Sequence, residues 1–277
     1  MLGLAKHGFT IKLPIAEGSV FYSFVVNPKA LSNALVIIPT YNEKENIQSI
    51  IDEVFAQPKE FDLLIVDDGS PDKTADLVRD SQKKYNSQGS TRLHLLERAG
   101  KLGLGTAYIA GFHFGLARGY EYMLEMDADF SHNPKDLVRL YLACEEGAND
   151  LVIGSRYSNG VNVVNWPMSR VLMSYFASKY VRVITGLPVH DTTAGFVCYR
   201  KKVLETIQLD NIKFVGYAFQ IEMKFLTWKY QFKITEVPII FTDRTKGQSK
   251  MSAGIFKEAV LGVMMMKIRS WFRSYKR

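Results

Sequence analysis

Cysteine is scarce in this 277-residue chain, which carries only Cys144 and Cys198. Two thiols without metal-ligand spacing exclude a disulfide framework and a cysteine-held metal, and they fit a reduced, intracellular environment. Long apolar runs are missing as well. A membrane-spanning helix needs about 20 apolar residues, and the longest candidate, Ala259 to Met266, is short and broken by Gly262. The N-terminus has no charged start followed by a sustained apolar run, so no secretory signal is expected. A basic-aromatic stripe is also absent, which argues against a nucleic-acid partner. The formal charge of +7 is confined: Lys246 to Arg277 holds eight basic residues against the single acid Glu258, and the rest of the chain is balanced. What remains is an ordinary globular composition, 47% hydrophobic and 23% charged, with no fixed-period repeat and no long linker.

From Ala34 onward, short apolar runs alternate with helical patterns. Strands are expected at Ala34–Ile38, Phe61–Val66, Arg92–Leu96, Tyr122–Met126 and Asp150–Gly154, with helices at Lys44–Phe55, Lys73–Lys84 and Thr106–Arg118. Asn133 suits a helix N-cap and Pro134 the first turn. The alternation predicts a mostly parallel sheet covered on both faces. Further on, a helix from Met168 to Ile184, a strand at Phe196–Tyr199, a helix at Phe219–Trp228 and a strand at Phe232–Pro238 are expected. Residues 1–33 stand apart, with Phe9–Ile15 and Val20–Val26 flanking Ala16-Glu17-Gly18-Ser19 as a possible hairpin. The expected organisation is an N-terminal extension over 1–33, one catalytic-size domain over 34–250, and a basic helix over 251–277.

Asp127-Ala128-Asp129 directly follows a buried strand. Two carboxylates at i, i+2 there are expensive unless a positive charge joins them. Mg²⁺ typically takes one or two carboxylates plus substrate phosphate oxygens. Open α/β sheets bind ligands at the carboxyl ends of their strands. Pro39-Thr40-Tyr41-Asn42-Glu43 and Val66-Asp67-Asp68-Gly69-Ser70 occupy the turns after the first two strands and share that edge. Each cluster alone also reads as a plain turn or a solvated loop. Together they point to a nucleotide cleft. Arg170 and Ser174, four apart on a predicted helix, share a face suited to a phosphate monoester.

These clusters, with Leu102-Gly103-Leu104-Gly105-Thr106-Ala107, resemble the inverting family-2 glycosyltransferases of GT-A fold. Within that family they resemble the dolichyl-phosphate (polyprenyl-phosphate) mannose synthases. Gly154-Ser155-Arg156-Tyr157, Asn165-Trp166-Pro167, Asp191-Thr192-Thr193-Ala194-Gly195-Phe196, Gly216-Tyr217-Ala218-Phe219-Gln220-Ile221-Glu222 and Arg244-Thr245-Lys246-Gly247-Gln248-Ser249-Lys250 extend the match over about 34–266. The resemblance implies a GT-A, Rossmann-like mixed sheet and a metal-dependent, inverting transfer of mannose from GDP-mannose to a polyprenyl phosphate. It implies that Pro39, Tyr41, Glu43, Val66 and Asp68 hold the nucleoside, with Ala128 between the two acids. Asp127 and Asp129 would hold Mg²⁺ or Mn²⁺, with Ser131 beside them where the family often has Gln. Arg244 and Lys250 would close over the diphosphate, with Gln248 where the family often has Glu. Arg156, Arg170 and Ser174 would receive the acceptor phosphate. A UDP-glucose-type donor, a noncatalytic sugar-nucleotide sensor and a basic nucleic-acid binder are the rival readings.

Phe256, Val260, Val263, Met264, Ile268, Trp271, Phe272 and Tyr275 recur at helical spacing, with Arg269, Arg273 and Lys276 toward another face. A basic amphipathic helix can lie in a bilayer interface; the same pattern also fits a helix docked on the core. With a lipid acceptor, the expectation is a peripheral protein on the cytoplasmic face of a membrane, with or without an anchoring partner subunit.

Overall fold

The structure, a computed structural model, describes the backbone of residues 9–12 and 21–24, then residues 32–86, 90–216, 218–244 and 253–276, without the side chains of 253–259. The chain divides into two compact units, Met1–Ser32 and Asn33–Arg277. In the first unit β1 (Phe9–Lys12) and β2 (Phe21–Phe24) pair antiparallel, with Phe9 opposite Phe24. The turn expected at 16–19 lies outside the described residues.

The second unit is built on seven strands: β3 (Ala34–Thr40), β4 (Asp62–Asp67), β5 (Leu93–Glu97), β6 (Tyr122–Glu125), β7 (Leu151–Ser155), β9 (Val197–Arg200) and β10 (Ile234–Pro238). Their order is β10-β7-β9-β6-β3-β4-β5. Only β9 runs antiparallel to its neighbours in this sheet, β6 and β7. The apolar runs of β3 and β4 form central strands because both faces are covered; every residue of β4 is buried. Helices α1 (Ile47–Phe55), α2 (Thr74–Tyr85), α3 (Leu104–Ala117), α4 (Asp136–Glu145), α5 (Met168–Thr185), α6 (Lys201–Thr206) and α7 (Ala218–Lys229) connect and cover the strands. A second, two-stranded parallel sheet joins β8 (Val163–Val164) to β11 (Phe241–Thr242).

Helix α3 lies tight on the sheet because of its glycines. A Cβ at Gly111 would stand 2.5 Å from Ile37 Cγ2, and one at Gly115 would stand 2.6 Å from Met123 Sδ. Three expected helix starts shift by two residues or more. Helix α3 opens at Leu104 rather than Thr106. Lys44–Asn46 form a turn before α1, and α4 begins at Asp136 rather than near Pro134. Asn133 still caps locally, its Oδ1 accepting the Lys135 N–H at 3.1 Å. Strand β10 opens at Ile234, two residues later than expected.

The C-terminal helix α8 (Ala253–Trp271) packs on α5 and α7. Val263 and Met266 are buried with Val181, Ile221 and Phe225. The Tyr180 hydroxyl donates to Val260 O at 2.9 Å and Lys267 Nζ to Thr185 O at 3.0 Å. Met264, Ile268, Trp271 and Phe272 are exposed beside Arg269. The stripe expected on one face is thus divided between core and solvent, because α8 presents its 263/266 side inward and apolar residues occupy the outer side too. Phe256 lies outside the described side chains.

Candidate active site

Strands β3, β4 and β6 deliver their carboxyl ends to one edge, where three loops meet. Pro39 pairs in register with Val66, and Thr40 with Asp67. Asp67 is spent on the turn itself: its carboxylate accepts from Thr40 Oγ1 at 2.9 Å, Ser70 Oγ at 2.6 Å and Ser70 N at 2.9 Å. The Tyr41-Asn42-Glu43 loop is tied to the next turn through Asn42 N to Ser70 Oγ (3.0 Å) and Glu43 N to Thr74 Oγ1 (3.1 Å). Lys101 Nζ lies 5.3 Å from the Tyr41 ring centre. Asp68 pairs with Arg98 at 2.6 Å, and Arg98 also donates to Thr106 Oγ1 at 2.8 Å. Arg98 therefore joins the Asp68 turn to the Gly103–Thr106 turn. Val66 is fully buried, so its side chain is core and only its main chain borders the cleft.

The two acids after β6 sit at the centre. Phe130 adopts a positive φ of 60°, which folds the loop back. Ser131 N donates to Asp129 Oδ1 at 3.0 Å, and Asp127 N donates to His132 Nδ1 at 3.2 Å. Arg244 Nη2 stands 3.0 Å from Asp129 Oδ2. Burial and the Asp129 charge push the Asp127 carboxyl up to about 7. For Asp129, burial raises the pKa, but Ser131 and the Arg244 charge outweigh it and hold the carboxyl below its ordinary value. Two carboxylates that resist joint ionisation call for a cation. The Ser131 hydroxyl beside them is buried without a well-formed hydrogen bond. This all-oxygen donor set fits Mg²⁺ or Mn²⁺. Among the described residues no group of three or more Asp, Glu, His or Cys forms a preset cage. The pair therefore leaves the remaining coordination positions to phosphate and water.

His132 is buried, stacks on Phe196 at 4.8 Å, and is pushed down to about 4 by burial, only partly offset by Asp129. An unfolded histidine titrates near 6.5. Between those values the unfolded chain holds the extra proton, so stability falls as pH drops from about 6.5 to about 4, by roughly 3 kcal/mol in all. Urea unfolding at pH 7, 6 and 5 is expected to show this loss in the wild type and not in His132→Asn, which keeps an acceptor but cannot titrate. Identical pH slopes in the two proteins would contradict the assignment.

The residues expected at the acceptor form a second cluster around Trp166. Arg156 is buried, and its fork is taken by Asp191: Nε to Oδ2 is 2.7 Å and Nη2 to Oδ1 is 2.6 Å, with Thr193 Oγ1 at 2.9 Å. The sequence reading gave this arginine no counterion; a buried guanidinium needs one. Arg170 Nη1 pairs with Asp243 Oδ1 at 2.8 Å, and its guanidinium lies 4.1 Å from the Trp166 ring centre. Ser174 is half-buried one turn along α5, near Tyr157. Lys250 and Gln248 lie outside the described residues, so the structure gathers Asp127, Asp129, Ser131 and Arg244 around the acids, and Arg156 and Arg170 around Trp166. Ala128 is buried between the two acids.

Sequence reasoning gave no role to Arg98, His132, Asp191 or Asp243. Asp191 stood inside a quoted motif, but nothing in its spacing tied it to Arg156. Beneath the acids, Glu125 and Lys224 are also buried, linked through Gln220 at 2.8 and 3.2 Å. Burial moves both toward about 8, Glu125 upward and Lys224 downward.

Residues 35–208 match the model of glycosyl transferase family 2. The chain is 45% identical over 237 residues to polyprenol monophosphomannose synthase of Mycolicibacterium smegmatis, covering 86% of each protein. It is 47% identical over 229 residues to undecaprenyl-phosphate mannosyltransferase of Micrococcus luteus, covering 83% of this chain and 91% of that one. In fold it resembles the mannosyltransferase PcManGT from Pyrobaculum calidifontis in complex with GDP-Man and Mn2+, with a TM-score of 0.55 and 16% identity over 90% of this chain and 66% of the other. The match over most of the catalytic unit, on a GT-A arrangement of strands, places this chain in glycosyl transferase family 2.

Proposed function

We propose that the protein transfers mannose from GDP-mannose to a polyprenyl phosphate of dolichyl type, with inversion at C1, giving a polyprenyl phosphate β-mannose. The observation behind this is the Asp127/Asp129 pair with Arg244 3.0 Å from Asp129, joined by β11 to the cluster of Arg156 and Arg170 around Trp166. The mannosyl and lipid-phosphate substrates named for the relatives at 45–47% identity support it. A divalent cation, when bound between the acids, supplies positive charge for the departing diphosphate. Asp127 and Asp129 hold that charge in place. Arg244 adds a guanidinium on the same side, and Lys250 is assigned to the same clamp. Tyr41, Glu43 and Asp68, on loops locked together by Ser70, Thr74 and Arg98, border the nucleoside. Arg170, and Arg156 through its edge not taken by Asp191, orient the acceptor. A phosphate monoester loses its second proton near pH 6, so it arrives as a ready nucleophile without a general base. The residues then contribute placement and charge stabilisation.

We also infer contact with a membrane surface on the cytoplasmic side. Among the described residues no helix is long and apolar enough to cross a membrane. Adjacent helices α5 and α8 expose Met168, Leu172, Phe176, Val183, Trp271 and Phe272. Lys179, Arg182, Arg269 and Lys276 are exposed on or beside the same helices, and each basic residue near anionic lipid is worth about 1 kcal/mol. Flotation with anionic and neutral liposomes tests this; equal absence from both fractions removes direct lipid contact and leaves an anchoring partner subunit to do the work.

The activity is tested with radiolabelled GDP-mannose and UDP-glucose offered with undecaprenyl phosphate. Expected is transfer from GDP-mannose that stops on chelation and resumes with Mn²⁺. Preference for UDP-glucose would move the donor assignment, and no transfer to any lipid phosphate would remove the reading.

A further inference from the structure

Strand β11 runs between the two halves of the site. Thr242 N donates to Ser131 O at 3.3 Å, beside the acids, while Asp243 N donates to Val164 O at 3.0 Å, beside Trp166. Phe241 packs against both His132 and Trp166, with ring centres 5.4 and 5.2 Å apart. The residue after β11, Asp243, fixes one carboxylate oxygen on two donors. Its Oδ1 accepts Arg170 Nη1 at 2.8 Å and Arg244 N at 3.1 Å. Arg244 in turn reaches Asp129, while the Arg170 guanidinium rests against the Trp166 indole.

We propose that Asp243 is a positioning residue that sets Arg170 for the acceptor phosphate and Arg244 for the donor diphosphate from a single carboxylate oxygen. The Arg170–Asp243 pair is about a quarter exposed on each side. Pairs so open to solvent stabilise a fold by under about 1 kcal/mol, so the pair's worth to folding is small. Its worth to orientation is larger, since a displacement of about 1 Å at a reacting group can cost on the order of a hundredfold in rate. The main-chain anchor to Val164 makes Asp243 a fixed reference, whereas both arginines end on long side chains. One fixed acid that holds the Arg170 guanidinium and the Arg244 main chain ties the bases of the two side chains together. This inference rests on the lipid-phosphate reading above.

The test is steady-state kinetics with GDP-mannose, Mn²⁺ and citronellyl phosphate, a short soluble prenyl phosphate. Asp243→Ala is expected to raise KM for both substrates on the order of tenfold. Asp243→Asn keeps an acceptor oxygen and is expected to recover most of that loss. Arg170→Lys is expected to raise KM for the prenyl phosphate alone. The double variant Asp243→Ala/Arg170→Lys should raise that KM no further than the worse single variant, since both changes act through one contact. If the alanine variant does not fold, Asp243→Ser is read in its place against the same criteria. An alanine variant with either KM within twofold of wild type overturns the proposal, as does an asparagine variant as impaired as alanine. A wild type that turns over normally in those cases leaves the functional reading standing; a wild type with no transfer to the prenyl phosphate overturns both.

Discussion

Asp129→Ala is expected to lower kcat/KM by about a thousandfold, with the fold intact by circular dichroism. Charge stabilisation of a leaving diphosphate by a bound cation is worth several kcal/mol, and about 4 kcal/mol corresponds to three decades in rate. Asp129 is the acid best fitted to hold that charge. It is buried, yet Ser131 N and the Arg244 guanidinium keep it ionised. Asp127 is less well prepared, because burial and its neighbour push it up to about 7. Removing Asp129 thus removes the member of the pair that Ser131 and Arg244 hold charged, and it also takes away the ion-pair partner of Arg244. Asp129→Asn, which keeps the Ser131 hydrogen bond but not the charge, is expected to lose nearly as much. Near-wild-type turnover in Asp129→Ala, with the metal requirement retained, would defeat the assignment.

Asp191→Ala is expected to be the most destabilising single change at the site. Asp191 is completely buried and receives three donors from Arg156: the main-chain N at 3.0 Å, Nε at 2.7 Å and Nη2 at 2.6 Å. Burial raises the Asp191 carboxyl, but the Arg156 charge and its hydrogen bonds outweigh that and hold it below its ordinary value. Deleting one partner of a buried pair leaves an uncompensated charge and costs about 3–5 kcal/mol. At 2–4 °C per kcal/mol for a protein of this size, Tm should drop by roughly 10 °C. Replacing both partners with apolar residues, Arg156→Met with Asp191→Leu, is expected to restore most of the stability while leaving the acceptor side without Arg156. That double variant separates fold from function. An Asp191→Ala protein within about 1 kcal/mol of wild type would show that the pair is not the counterion system described here.

The main architecture was legible where the chain is locally consistent. Ala34–Ile38 and Leu63–Val66 are unbroken apolar runs that stop at Pro39 and at an Asp-Asp-Gly-Ser turn, so their strand character and common edge follow from composition and punctuation. The antiparallel direction of β9 was not legible. Four residues carry no directional signal, and the direction is set by pairing with β6 and β7 across the fold. Strands β8 and β11, of two residues each, are too short for any periodicity to reveal, yet they link the acids to the cluster of Arg156 and Arg170. The start of α4 moved because Pro134 and Lys135 form a turn before the helical hydrogen bonds begin. At the site, the acids stand out from a local motif, and Arg244 from the resemblance. The counterions do not: Asp191 lies 35 positions from Arg156 and Asp243 lies 73 from Arg170. Only the fold brings those pairs together, and a sequence read without its contacts treats the arginines as unpaired.

Asp127 and Asp129 are proposed to hold a divalent cation against a nucleotide diphosphate. Manganese anomalous scattering from crystals grown with GDP and Mn²⁺ tests this most directly. One anomalous peak is expected within coordination distance of both carboxylates, with diphosphate oxygens completing the shell. A peak at other residues, or GDP bound away from this loop with the acids unliganded, would contradict it.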